Sequence, residues 1–170
     1  MSTENTAFPQ SVDIVSIVGD VAEAYFGHEM SRVPAGAIRD NEAWTSYVEI
    51  AGKWRGAVIL SCRREFAVQA SSEMLGKKPD DVTDEDALSV IAELTNVIGG
   101  NIKALISESV GGTCALSIPL VARGMHAFGD ADDQAKLWFS SRGHLVCVRV
   151  IELDDPARTT ARPIPHPTLQ

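Results

Sequence analysis

Apolar residues recur at helical spacing over residues 10–26, where Ile14, Val18, Val21, Ala22 and Tyr25 share a side and Gly27 supplies a C-terminal stop. After a loop through Pro34 and Gly36 the period changes. Residues 44–50 alternate as a strand does, Gly52 breaks the run, and residues 54–61 are a second apolar strand, so the two predict a hairpin. Helical spacing returns over residues 63–75 through Phe66, Ala70 and Met74, ending at Gly76. Beyond a connector with Pro79, Thr83 opens a long helical segment that reaches about Glu108 and stops before Gly111-Gly112. Thr83 suits the cap, and Asp84, Glu85 and Asp86 complement the positive end of the helix dipole. Three strand-like stretches follow at 113–122, 136–141 and 144–153, the last two joined by a tight Arg142-Gly143 turn.

Three helices and five or six strands predict one α/β (α+β) domain over residues 11–153, with a frayed start at 1–10. The segment 154–170 is rich in Pro and Thr, has little to bury and is expected to be flexible.

Composition narrows the partners. The chain has 170 residues, and 23 acidic residues against 15 basic give a net charge of −8. With no Lys/Arg-rich run to neutralise phosphates, nucleic acid is not expected as a partner. The start lacks the basic and apolar blocks of a secretory signal, and no apolar run approaches the roughly 18 residues of a membrane span, so a cytoplasmic protein is expected. Cys62, Cys114 and Cys147 are scattered in apolar stretches and read as reduced core thiols.

The long helix carries the candidate chemistry. At about 100° per residue, Ala87, Ile91, Leu94, Ile98, Ile102 and Leu105 form one stripe, the expected core face. Ser89, Glu93, Asn96, Gly100 and Lys103 step along the opposite side. The polar face of an amphipathic helix is by default simply solvated. Two features set this one apart. Asn is a poor mid-helix residue because its side chain competes for backbone hydrogen bonds. Gly99-Gly100 follows, and each glycine costs about 0.5–1 kcal/mol relative to Ala in a helix. A flat patch beside Asn96 would let another protein approach closely.

The pattern Ser89-x3-Glu93-x2-Asn96-x22-Pro119 resembles the signature of the CheC/CheX/FliY chemotaxis phosphatases, and ALSVIAELTNVIGGNIKALI is similar to the corresponding CheX helix. Three residue types at fixed distances coincide by chance in roughly one window in ten thousand. The order of the opening helix, the hairpin, the next helix and the strands after Pro119 also matches, over about residues 10–153. The resemblance implies a CheX/CheC-like fold: a mixed or antiparallel sheet of about six strands with two long helices packed on one face.

It also implies a substrate, the aspartyl phosphate of a CheY-like receiver domain. Any Mg²⁺ then sits on the partner, and no cofactor or metal is expected on this chain. Asn96 and Glu93 are the implied catalytic residues. Asn96 would orient the attacking water, since a carboxamide offers a donor and an acceptor on one rigid plane. Glu93 could serve as a general base, but proton abstraction is not the hard part of a loose phosphoryl transition state. In the family the acid docks on the receiver's active-site lysine instead. Ser89, Gly100 and Lys103 would extend the receiver-binding face. Two-site paralogues carry a second Glu-x2-Asn on an earlier helix, whereas Glu23-Ala24-Tyr25-Phe26 and Glu73-Met74-Leu75-Gly76 lack the amide. One site per chain is the CheX-like arrangement and implies a homodimer through sheet edges. The alternative is a non-catalytic module of the same fold that binds a receiver or a flagellar-switch component.

Other constellations carry less. His28, His126, His144 and His166 show no metal-ligand spacing. There is no P-loop, GxGxxG or GxSxG. Trp44, Trp54 and Trp138 fall in strand patterns, Pro119 suits a strand entry, and Asp130, Asp132 and Asp133 read as a solvated loop.

Overall fold

A computed structural model describes residues 8–124 and 135–153. His126, His166, the Asp130/132/133 cluster, residues 1–7 and the segment 154–170 lie outside the described residues. The elements run α1 (Ser11–Phe26), β1 (Ser31–Val33), β2 (Ala43–Gly52), β3 (Gly56–Arg63), α2 (Arg64–Leu75), α3 (Asp84–Ser109), β4 (Cys114–Leu116), β5 (Leu120–Arg123), β6 (Ala135–Ser141) and β7 (His144–Glu152). Among the described residues seven strands form one antiparallel sheet in the order β1-β6-β7-β3-β2-β4, with β5 also paired to β2.

Alternation assigns the faces. Trp44, Val48 and Ile50 of β2, Val58 and Leu60 of β3, Val146, Val148 and Val150 of β7, and Leu137 and Phe139 of β6 all enter the core shared with the helices. Ala57, Ile59 and Ile151 make a smaller cluster on the other side, with Tyr47 and Leu153 against it. Cys62, Cys114 and Cys147 are all buried, and burial pushes the Cys62 thiol upward, which keeps it unreactive. No helix among the described residues is long and apolar enough to cross a membrane.

Three expectations need correcting. The stretch at 113–122 is two strands rather than one. Leu116 faces Ile50 and Leu120 faces Tyr47, so four steps on this edge meet three on β2, which is a bulge. Pro119 sits within it, lacking a ladder N–H, while the Ser117 hydroxyl accepts from the Glu49 N–H at 2.9 Å. The second hairpin strand starts at Gly56 rather than Trp54. Trp54 is buried in the turn, and a Cβ on Gly56 would run into its ring. The loop before Pro34 holds β1, a strand too short to show alternation, which pairs with β6. At the other hairpin, Arg142 (φ 48°) and Gly143 (φ 84°) make the two-residue turn that the strand twist requires.

A cluster ties that turn to the helices. Glu73 of α2 lies 3.0 Å from His28 Nε2 and accepts from Arg142 Nε at 2.9 Å and from Gln69 at 3.1 Å. Burial opposes the charge on Glu73, but the Gln69 and His28 hydrogen bonds and the Arg142 charge together hold its carboxyl below the usual range. A depressed carboxyl stabilises the fold above its unfolded pKa of about 4.3 and stops doing so as pH falls through the folded value. Glu73→Gln is therefore expected to lower the urea midpoint at pH 7 and to converge on wild type in acid below that range. Parallel denaturation at pH 7 and pH 3 checks this, and an unchanged gap would contradict it.

Candidate functional site on helix α3

The site begins with the register of α3. The Thr83 side chain accepts from the Asp86 N–H at 3.1 Å and Asp86 accepts from the Thr83 N–H at 3.0 Å, a reciprocal capping box. Lys77 adds a 2.7 Å ion pair to Asp86. The Lys77 hydrogen bond first, then the Thr83 backbone, holds the Asp86 carboxyl below its ordinary range. With the start fixed, every later side chain has a set direction over 26 residues, about 39 Å of helix.

The inward side is anchored. Ile91, Leu94, Ile98, Ile102 and Ile106 are all buried, and each contributes about 1.5–3 kcal/mol by leaving water. Ile106 takes the place expected for Leu105, which is only half-buried. The cause is the direction of the sheet: Ile106 lies two turns beyond Gly99 on the flank that meets β2.

Gly99 and Gly100 separate in role. A Cβ on Gly99 would overlap Val48 Cγ2, whereas one on Gly100 meets only Leu116 Cδ2, at 4.0 Å. Gly99 thus serves close helix–sheet packing and is not part of an exposed flat patch. Gly100 is half-buried on the outer side. Gly99→Ala is expected to destabilise by about 1–2 kcal/mol, because overpacking outweighs the gain in helix propensity. Gly100→Ala is expected to raise stability by about 0.5–1 kcal/mol. Thermal melts of the two variants test the contrast, and equal shifts would contradict it.

Ser89, Glu93, Asn96, Gly100 and Lys103 do lie together along the outer side. Ser89 and Glu93 are exposed, while Asn96, Gly100 and Lys103 are half-buried. Their neighbours bond back to the helix's own carbonyls: Thr95 donates to the Ile91 carbonyl at 2.7 Å and Asn101 to the Val97 carbonyl at 2.9 Å. The Asn96 carboxamide makes no such bond among the described residues, so its donor and acceptor stay available outward.

One neighbour escaped the sequence. The Tyr25 hydroxyl of α1 donates to Glu93 Oε1 at 3.4 Å. Tyr25 ends an otherwise aliphatic stripe, and a half-buried Tyr usually keeps its polar tip near a partner; that was the available signal. Burial raises the Tyr25 pKa, and the charge and hydrogen bond of Glu93 raise it further.

A cavity of about 500 Å³ takes in Lys103 with Ser107, Gly111 and Cys114 at the end of α3. A cleft of about 580 Å³ is lined by Arg39, Trp44, Arg63, Arg64 and His144 among others. Its arginines are engaged: Arg63 with Glu42 at 3.1 Å and Arg64 with Asp84 at 2.7 Å. Among the described residues no cluster of His, Cys, Asp and Glu could hold a metal ion. Ser89, Glu93 and Asn96 line none of these cavities, so this side of α3 suits contact with a partner's surface more than enclosing a small molecule.

The comparisons with known proteins converge on one group. The family profile described as chemotaxis phosphatase CheX matches residues 44–139. Chemotaxis protein CheX from Vibrio vulnificus superposes with a TM-score of 0.71 at 18% identity, covering 88% of this chain and 100% of that one. The CheX–CheY–BeF3–Mg²⁺ complex from Borrelia burgdorferi gives 0.66 at 18% identity, over 86% and 99%. FliY from Thermotoga maritima gives 0.59 at 16%, over 89% and 92%. At these identities the superpositions show the fold. Among curated proteins none matches the sequence.

Proposed function

The chain belongs to the chemotaxis phosphatase CheX family, and from that premise and the geometry of α3 we propose that it dephosphorylates a CheY-like response-regulator receiver. The reaction is hydrolysis of an acyl phosphate. Water attacks phosphorus, the bond from phosphorus to the aspartyl oxygen breaks, and the carboxylate leaves with inorganic phosphate as the other product. The receiver brings the leaving group and the Mg²⁺ that neutralises charge as it develops. What this chain adds is placement of the water.

The observation that carries the reading is the Asn96 carboxamide. It sits mid-helix on a firmly packed element, half-buried and unbonded within the chain's described residues, one turn from Glu93. A planar amide can accept one water proton and donate to a phosphoryl oxygen, so it fixes direction without changing charge. Glu93 docks on the receiver's lysine and brings Asn96 into line, while Ser89, Gly100 and Lys103 complete the contact.

Two copies joined at sheet edges are the arrangement we propose. The β5 edge favours it, with Ile118, Leu120 and Val121 at 78%, 46% and 44% exposure in one short run. The protein would work in the cytoplasm, beside its phosphorylated partner.

The test is phosphate release from a receiver phosphorylated with a small-molecule donor, with and without this protein at catalytic ratio. Faster release with turnover is expected. Binding to the receiver without faster decay would leave only a non-catalytic module.

A further inference from the structure

The helix that lacks an amide of its own still reaches the site. Tyr25 lies on α1, where Glu23-Ala24-Tyr25-Phe26 offers no Asn, yet its hydroxyl crosses to α3. Among the described residues it is the one side chain hydrogen-bonded to Glu93. Its ring is half-buried and its proton is firmly held, so it is a donor throughout the neutral range.

We infer that Tyr25 is a positioning residue for Glu93, setting the carboxylate before the receiver's cation arrives; the inference rests on the docking role given to Glu93 above. An exposed Glu samples many rotamers, and freezing such a side chain on binding costs several-fold in affinity. Tyr has two side-chain torsions, and here it is wedged at the α1–α3 contact. It engages Oε1 only, which leaves Oε2 to face a lysine ammonium. At 3.4 Å the bond is longer than the roughly 2.5–3.0 Å of a strong O–H···O contact, so it orients the carboxylate without neutralising it, and it persists on Oε1 while Oε2 takes the charge-assisted partner.

The experiment measures Kd for a receiver activated with beryllofluoride and Mg²⁺, using wild type, Tyr25→Phe, Glu93→Ala and the double variant. Tyr25→Phe is expected to raise Kd about 2- to 10-fold in the wild-type background and to change nothing once Glu93 is Ala, which leaves no acceptor for the hydroxyl. Tyr25→Phe should keep the wild-type Tm, since the ring packing is retained. An unchanged or lower Kd for Tyr25→Phe overturns the inference, as does an equal penalty in both backgrounds. A wild-type protein that does not bind the activated receiver overturns it together with the docking role. Binding without accelerated phosphate release overturns the phosphatase reading alone, and the Kd comparison still decides Tyr25.

Discussion

Asn96→Ala is expected to slow receiver dephosphorylation at saturation by roughly 100-fold or more while leaving the protein as stable as wild type or slightly more so. The two halves have separate causes. Misplacing a nucleophile by about 1 Å costs on the order of 10²-fold, and removing the amide removes what places the water. Asn96 makes no hydrogen bond within the described chain, and Ala is the better helix former by about 0.5 kcal/mol, so the fold loses nothing. Steady-state phosphate release with a parallel thermal melt reads both. A variant with wild-type turnover would end the catalytic assignment. Asn96→Asp is expected to be slow as well, because a carboxylate repels the phosphoryl oxygens and lacks the amide donor.

Glu93→Ala should separate from this kinetically. KM for the phosphorylated receiver is expected to rise about 10- to 100-fold, with kcat falling far less than in Asn96→Ala. Glu93 is exposed in the free protein, so its attraction to a cation is screened by salt. Wild-type KM should therefore climb with ionic strength and that of Glu93→Ala should climb less steeply. If Glu93→Ala instead lowered kcat as far as Asn96→Ala with KM unmoved, Glu93 would be a base and not a docking group.

Much of this site was legible because α3 obeys one period. Ile91, Leu94, Ile98 and Ile102 fix its inward direction, and Glu93 and Asn96 then face outward by geometry alone. Thr83 and the acidic residues after it marked the helix start, and the structure adds that Asp86 closes a reciprocal box with Thr83. What the pattern could not carry was contact between elements distant in sequence. Gly99 reads as part of a flat patch until Val48 is seen above it, 51 positions earlier in the chain. Tyr25 reads as the end of an apolar stripe until α1 is laid against α3. The bulge at Pro119 depends on the registry between two strands and a third, which periodicity within 113–122 does not contain. The strand β1 has three residues, fewer than any alternation needs.

The contact of Gly99 with Val48 has an inheritance consequence. The space between α3 and β2 at that level is one shared volume, and neither position can change freely while the other stays as it is. A lineage in which position 99 acquires a methyl group would need a smaller residue at position 48, and the two would then vary as a pair although neither touches the receiver. The helix side bearing Asn96 could change its chemistry residue by residue, while the depth at which that helix is seated could shift only by paired mutation.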